Sequence, residues 1–416
     1  MRNVGRMVWI AWFLAAIFYL YQYALRSSPA VMMPELSGAY GLTPVGMASL
    51  LGIFYYGYAV FSLIAGAALD RLGPRAVIPL GALIVACGAL LFSTGNLASA
   101  TIGRLLQGVG GSVSLVGTVF IAARNFPPWR AATLIGAAQM FGMFGGFAGQ
   151  FPVGRLLSAG VRWDVFWMHM GLAGLLLSLI LFLVLPAEAM TTRGQGSIRS
   201  AFLSLAAVFR NPQSILCGAV AGLLFLPTTI FDMMWGVRFL QEAHGFDYGE
   251  AVIRSATVPL GWMIGCPLLG WVSDRIGRRK PVVIAGASVT FTCLAWILYG
   301  PTGVFPPYVL GLLAGVSSGS AMIPYTIIKE ANPPGLSGTA TGVLGCLNLS
   351  VTALLGPVFG RLLHAFSRGA TPGLTHYQST FQPLLFGVGM AVLLTLALKE
   401  TGAAPRTLGV ITLKAA

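Results

Sequence analysis

Gly66-Ala-Ala-Leu-Asp70-Arg71-Leu-Gly73-Pro-Arg75 follows one long apolar run, and Gly270-Trp-Val-Ser-Asp274-Arg275-Ile-Gly277-Arg278-Arg279-Lys280 follows another. Asp70 and Asp274 are 204 residues apart. A second pair, Pro152-Val-Gly-Arg155-Leu-Leu and Pro357-Val-Phe-Gly-Arg361-Leu-Leu, sets Arg155 and Arg361 206 residues apart. Two independent pairs with nearly one offset mean that the chain carries one unit twice. Parallel repeats of this kind in a membrane protein place a ligand site at their interface, near the bilayer midplane.

The material between these joints is apolar. Hydrophobic residues make up 56% of the 416 and charged residues 9%, against about 25% charged in soluble domains. Mean hydropathy is +0.82. These values exclude a soluble enzyme, a disordered chain and a coiled coil. A transmembrane β-barrel would alternate instead of running apolar for 20 residues. A membrane-spanning helix needs about 20 mainly apolar residues. Twelve such spans are predicted, at 8–34, 44–69, 75–95, 98–123, 131–155, 164–186, 213–240, 250–273, 280–300, 303–328, 338–363 and 379–399. Residues 187–212 are the longest polar interval and read as a linker. The expected fold is an all-α integral membrane protein in two pseudo-symmetric six-helix halves, 1–186 and 213–400, with a tail at 401–416.

The 25 Lys and Arg exceed the 11 Asp and Glu, giving a net charge of +14. With the N-terminus inside, 17 bases fall in cytoplasmic segments and 6 outside, and Arg26 and Arg104 lie within spans. That bias predicts both termini in the cytoplasm. It also accounts for the basic charge by topology, so no nucleic-acid partner is expected. Cys87, Cys217, Cys266, Cys293 and Cys346 all lie in apolar segments without CxxC spacing, so neither disulfide nor metal is expected. The first apolar stretch is too long for a signal peptide.

The G-x-x-x-D-R-x-G-x-R/K pattern, present twice among twelve spans, resembles the major facilitator superfamily. Arg104-Leu-Leu-Gln107-Gly108-Val-Gly110 in span 4 resembles that family's R-x-x-Q-G-x-G motif. The resemblance implies secondary transport by alternating access. It also implies a gating network on the two joints, Asp70, Arg71, Gly73, Arg75, Asp274, Arg275, Gly277 and Arg278, and a proton-relay or gate role for Arg104. Span 5 holds Gly142, Gly145, Gly146 and Gly149 but lacks the Gly-Pro pair of drug exporters. The first span, through Arg26 and Ser-Ser-Pro-Ala-Val-Met-Met-Pro34, resembles organophosphate and organic-anion members, in which an arginine here binds the substrate's anionic group. The second arginine of organophosphate members falls near Thr229, so the phosphate clamp is incomplete. A bacterial branch with amino-acid importers is also similar.

A charge at the bilayer centre costs roughly 3 kcal/mol or more, so such residues are functional candidates. Only Asp232, Arg26 and Arg104 are deep. Arg26 and Asp232 are 206 residues apart, the repeat offset, and are expected to face each other across the central cavity. Arg26 suits a carboxylate or phosphate through its forked donors. Asp232 is the candidate carrier of a coupling proton, or the partner of a substrate ammonium. A fixed Arg26–Asp232 salt bridge is the structural alternative; for Arg104 it is snorkelling to the interface. Tyr19, Gln22 and Arg26 share one face of span 1. Thr228, Thr229, Asp232 and Trp235 share one of span 7. Gln139, Tyr325 and Asn348 are further cavity candidates.

The expected function is therefore proton-coupled uptake of a small organic anion or zwitterion across an inner membrane, by a multi-pass monomer without cofactor or enzymatic activity. The alternatives are an exporter of drugs or siderophore-like metabolites, a membrane sensor and a channel. No G-x-x-x-x-G-K-[ST] loop for ATP is present.

Overall fold

Residues with high apolar content and few charges have only two ways to satisfy their backbone in lipid, and this chain takes the helical one. The computed structural model describes residues 2–42, 44–185, 198–306, 308–367 and 372–402. Among the described residues, twelve helices are long and apolar enough to cross a membrane. They are α1 (Arg2–Ser27), α2 (Pro44–Leu72), α3 (Pro74–Phe92), α4 (Leu97–Asn125), α5 (Ala131–Ser158), α6 (Trp163–Val184), α7 (Pro212–His244), α8 (Tyr248–Ile276), α9 (Lys280–Tyr299), α10 (Val309–Glu330), α11 (Ser337–Ser367) and α12 (Leu374–Ala397). The expected spans match these closely. Span 10 starts later than expected because Pro301, Gly303 and Pro306 keep its approach non-helical.

Local chemistry sets the ends. Asn96 accepts hydrogen bonds from the Ala98 and Ser99 amides at the start of α4, and Asp247 accepts from Glu250 N at the start of α8, so orphan amides are capped. Gly73 (φ 75°) and Gly277 (φ 68°) turn the chain at the two Asp-Arg-x-Gly joints in a conformation that disfavours any side chain. Their places in the motif follow from that backbone requirement.

Three helices depart from simple rods; in α10 the departure is a 3-10 segment, Gly319–Met322. The regular part of α1 ends at Ser27, and a 3-10 turn, Ser28–Val31, with Pro29 at its start, follows. Arg26 thus lies in the last turn of α1, where the helix carbonyls favour a cation. In α7, Pro227–Gly236 is π-helical, a wide-turned geometry that recurs at functional sites. Of the expected linker, Ile198–Arg210 is a helix, with Val208 buried and Leu203 61% exposed. Residues 187–197 and 403–416 of the expected linker and tail lie outside the described residues.

The two halves meet along α2–α11 and α5–α8. At one end of the bundle the meeting is a doubled latch. Asp70 accepts from Gly338 N (3.0 Å), Thr339 N (2.7 Å) and Thr339 Oγ1 (2.7 Å) at the start of α11. Asp274 accepts from Thr133 N and Thr133 Oγ1, both at 2.8 Å, at the start of α5. Each motif carboxylate therefore caps a helix of the opposite half, and the N-terminal helix dipole adds to its binding. Thr133 and Thr339 are again 206 residues apart. A Cβ at Gly66 would collide with the Gly338 carbonyl, and one at Gly270 with that of Ala132. The first glycine of each motif is thus the clearance that lets the latch shut.

The second latch is reinforced. Arg279, its side chain 2% exposed, bonds Asp274 Oδ1 at 2.7 Å and Glu330 Oε1 at 2.8 Å. Burial alone would weaken its basicity, but Glu330 and Asp274 outweigh that and hold it above the ordinary arginine value. Arg75, the equivalent position in the first half, lies over the Phe182 ring instead.

Candidate functional site

The face of α1 turned to the interface carries Tyr19, Gln22 and Tyr23, all buried, and the half-buried Arg26, at i, i+3, i+4 and i+7. Tyr19 donates to Gln139 Oε1 of α5 at 2.8 Å. Gln22 lies against Gly111 of α4. Arg26 is caged by rings: its guanidinium carbon is 4.8 Å from the Tyr23 and Tyr55 centroids and 5.8 Å from that of Phe54. Its Nε donates to Tyr55 OH at 3.4 Å. From the other half, Tyr325 of α10 faces Tyr23 and Tyr58, and Asn348 of α11 donates to Tyr325 OH at 3.3 Å. Six of the predicted residues, Tyr19, Gln22, Arg26, Gln139, Tyr325 and Asn348, are therefore brought together. Tyr23, Tyr55 and Tyr58 complete the wall.

Hydrogen-bonding capacity is left over here. Gln22 Nε2 and Oε1, Arg26 Nη2, Gln139 Nε2 and Asn348 Oδ1 are buried and have no protein partner. Buried polar groups are normally satisfied, so a cluster of exceptions calls for a polar ligand or water.

Charge is also left over. Arg104 of α4 is 1% exposed, so it does not snorkel. Its Nη1 donates to Gln107 Oε1 at 2.7 Å and its Nη2 to the Leu51 carbonyl at 3.3 Å, both neutral acceptors. Phe54 lies between the two arginines, 5.2 Å from the Arg104 guanidinium carbon, and Arg26 is near enough to repel Arg104. Among the described residues, ion pairs are made by Arg162, Arg238, Arg254, Arg278 and Arg279, none of them in this site. A buried arginine and a half-buried one thus share a site with no carboxylate among the described residues, an arrangement that a bound anion would neutralise.

Asp232 is placed differently from the sequence expectation. It makes no ion pair with Arg26. Its Oδ1 accepts from Ser255 Oγ of α8 at 2.9 Å, and it lines a cavity formed by α7, α8, α9, α10 and the 300–306 joint, within the second half. The facing expectation rested on the repeat offset, which takes the two helices to be alike, whereas α7 is π-helical over Pro227–Gly236 and α1 is α-helical to Ser27. Thr229 bonds the Phe225 carbonyl and Thr352 of α11. Trp235 lies against Gly360 and under Arg238. Neither is seen joining the Arg26 group.

Of the predicted gating set, Asp70, Asp274, Gly73 and Gly277 have the latch and turn roles described above. Arg275 lies over Trp271, and Arg278 is 65% exposed beside Glu400. Arg71 and Arg75 are on the same face of the bundle as Asp70. The buried latch arginine is Arg279, which the motif contains but the predicted set omits.

The model of the Major Facilitator Superfamily matches residues 12–357. The hexuronate transporter of Bacillus subtilis is 24% identical over 68% of this chain and 68% of its own length. The gentisate transporter of Corynebacterium glutamicum is 30% identical over 38% of this chain, a match that spans 34% of that transporter. The solved structure of the proton:xylose symporter XylE superposes with a TM-score of 0.73 over 96% of this chain and 97% of its own, at 13% identity. With twelve membrane helices in two latched halves and a family match over most of its length, this chain belongs to the Major Facilitator Superfamily of transporters.

Proposed function

We propose that the protein takes up a small organic acid by alternating access, with the proton as coupling ion. The observation that carries this reading is the pair of arginines, Arg104 buried and Arg26 half-buried with its Nη2 enclosed, without an acidic partner among the described residues. The substrate carboxylate supplies the missing anion, on Arg26 Nη2. The hydroxyls of Tyr23, Tyr55 and Tyr58 and the amides of Gln22, Gln139 and Asn348 take its polar remainder. The named substrates of the relatives, hexuronate and gentisate, are both carboxylic acids, which agrees with this choice.

Asp232 is the proposed proton carrier. It is buried, and its hydroxyl partner Ser255 can donate to the carboxylate or accept from the carboxylic acid. By the charge bias of the loops, the latched end is assigned to the cytoplasm. The state described is then closed inward, and reopening requires both carboxylates to leave their helix caps. Carriage by this route needs no covalent chemistry on the substrate.

A thermal-shift screen of purified protein tests the reading. Sugar acids, aromatic acids, sulfonates, amino acids and phosphate esters would each be applied at two pH values. A ligand at about 100 times its Kd stabilises by about 2.7 kcal/mol. The expected hits are carboxylates whose effect is lost in Arg26→Ala. Stabilisation only by large apolar compounds, indifferent to Arg26, would replace this reading with export.

A further inference from the structure

The cavity that holds Asp232 has a volume of about 680 Å³, within the range of roughly 300–1,000 Å³ typical of small-molecule pockets. No residue of α1–α6 lines it. It lies at the end of the bundle away from Asp70 and Asp274, where α7 and α9 finish and α8 and α10 begin. Its walls are apolar and aromatic, chiefly Phe231, Phe239, Phe246, Leu294, Trp296 and Tyr308. At its base, Asp232 is 9% exposed and receives one hydrogen bond, from Ser255. No cation pairs with it among the described residues.

Two details keep the space above the carboxylate free. One turn on, position 236 is glycine; a Cβ there would stand 3.1 Å from both Asp232 Oδ1 and Ser255 Oγ. At the mouth, Arg254 is occupied by Glu250, at 2.9 and 2.6 Å, and stacks on Phe246 at 4.1 Å. Tyr308, also at the mouth, has φ 76°, the one positive value outside glycine among the described residues. Such strain gathers at ligand sites.

We propose that this cavity is a second ligand site, separate from the Arg26 cavity, for an amine with an apolar, aromatic body. The ammonium pairs with Asp232 and the ring body lies against the aromatic walls, which also attract a cation through their faces. The proposal goes beyond the transport reading, because it requires neither substrate nor translocation.

The test is calorimetric binding of three probes of one shape to the full-length protein in detergent: 1-naphthylmethylamine, 1-naphthylmethanol and 1-naphthoate. The amine is expected to bind at least tenfold more tightly than the alcohol. Asp232→Asn should abolish that preference while the alcohol still binds, which also shows that the variant is folded. Gly236→Ala, which crowds the carboxylate, should weaken the amine several-fold if Asp232→Asn cannot be purified. Arg26→Ala should leave the amine unchanged. Equal binding of amine and alcohol, a preference that survives both variants, or loss of the amine in Arg26→Ala would each overturn the proposal. A protein that binds the amine but no organic acid would sink the transport reading and leave this one standing.

Discussion

Removing Arg26 should separate substrate binding from folding. In the structure this side chain gives its folded neighbours one long hydrogen bond, 3.4 Å to Tyr55, and ring contacts, while Nη2 has no protein partner. A desolvated cation–π contact is worth about 2 kcal/mol, but enclosing an unpaired charge costs several kcal/mol, and the repulsion from Arg104 adds to that cost. Arg26→Ala should therefore leave the ligand-free melting temperature within a few degrees of the parent. For the ligand the arithmetic is different. Truncating one partner of a buried, hydrogen-bonded charge pair costs about 2–5 kcal/mol. At 1.4 kcal/mol per decade, that is about 30-fold to a few thousandfold in Kd. Arg26→Lys keeps the charge but loses the fork, and should fall between. The assay is titration calorimetry with glucuronate, galactonate and gentisate, beside thermal melting without ligand. A carboxylate that binds Arg26→Ala as tightly as the parent would refute the reasoning. So would a large loss of ligand-free stability, since the side chain would then be structural.

Other consequences are as direct. Asp232→Asn should abolish proton-driven accumulation in proteoliposomes and leave substrate exchange intact; full accumulation would remove Asp232 from the coupling role. Asp70→Asn should weaken three hydrogen bonds to α11 and shift the population toward the opposite opening by about tenfold or more, since bonds to a charged group are worth roughly 1.5–3 kcal/mol each. Cysteine accessibility at the latched end would read that shift, and an unchanged pattern would count against the latch. Gly270→Ala should do the same by clash with Ala132, with little effect on affinity. Arg279→Ala strands the buried Asp274 and partly buried Glu330; breaking such a network costs about 3–5 kcal/mol and should lower the melting temperature more than Arg278→Ala does.

The spans were legible because lipid demands long apolar runs, and their joints carried Gly, Pro and charge. The latch was half legible. Asp70 and Asp274 stood out by the repeat, but their partners Thr133 and Thr339 are ordinary helix residues whose role appears only when α5 and α11 cross to the other half. The same offset, applied beyond the motif, would have paired them. In the cavity, Arg26 declared itself as a deep charge, whereas Tyr23, Tyr55 and Tyr58 could not be told from packing aromatics by spacing. Asp232 was expected to face Arg26 from the repeat offset, which assumes equal helix geometry in both halves, and Pro227 begins a π-helical stretch that the pattern does not announce. The linker helix Ile198–Arg210 was overlooked because the polar residues just before it dominated the reading of 187–212.

The central claim is that a substrate carboxylate is the counter-ion missing from the Arg26–Arg104 site. A structure determined with bound glucuronate, or whichever carboxylate binds best, examines it most directly. The account predicts a carboxylate oxygen within about 3 Å of Arg26 Nη2, as charge-assisted bonds require, with Tyr23 and Tyr55 beside it. A ligand carboxylate lodged elsewhere, with Arg26 Nη2 still unpartnered, would contradict it.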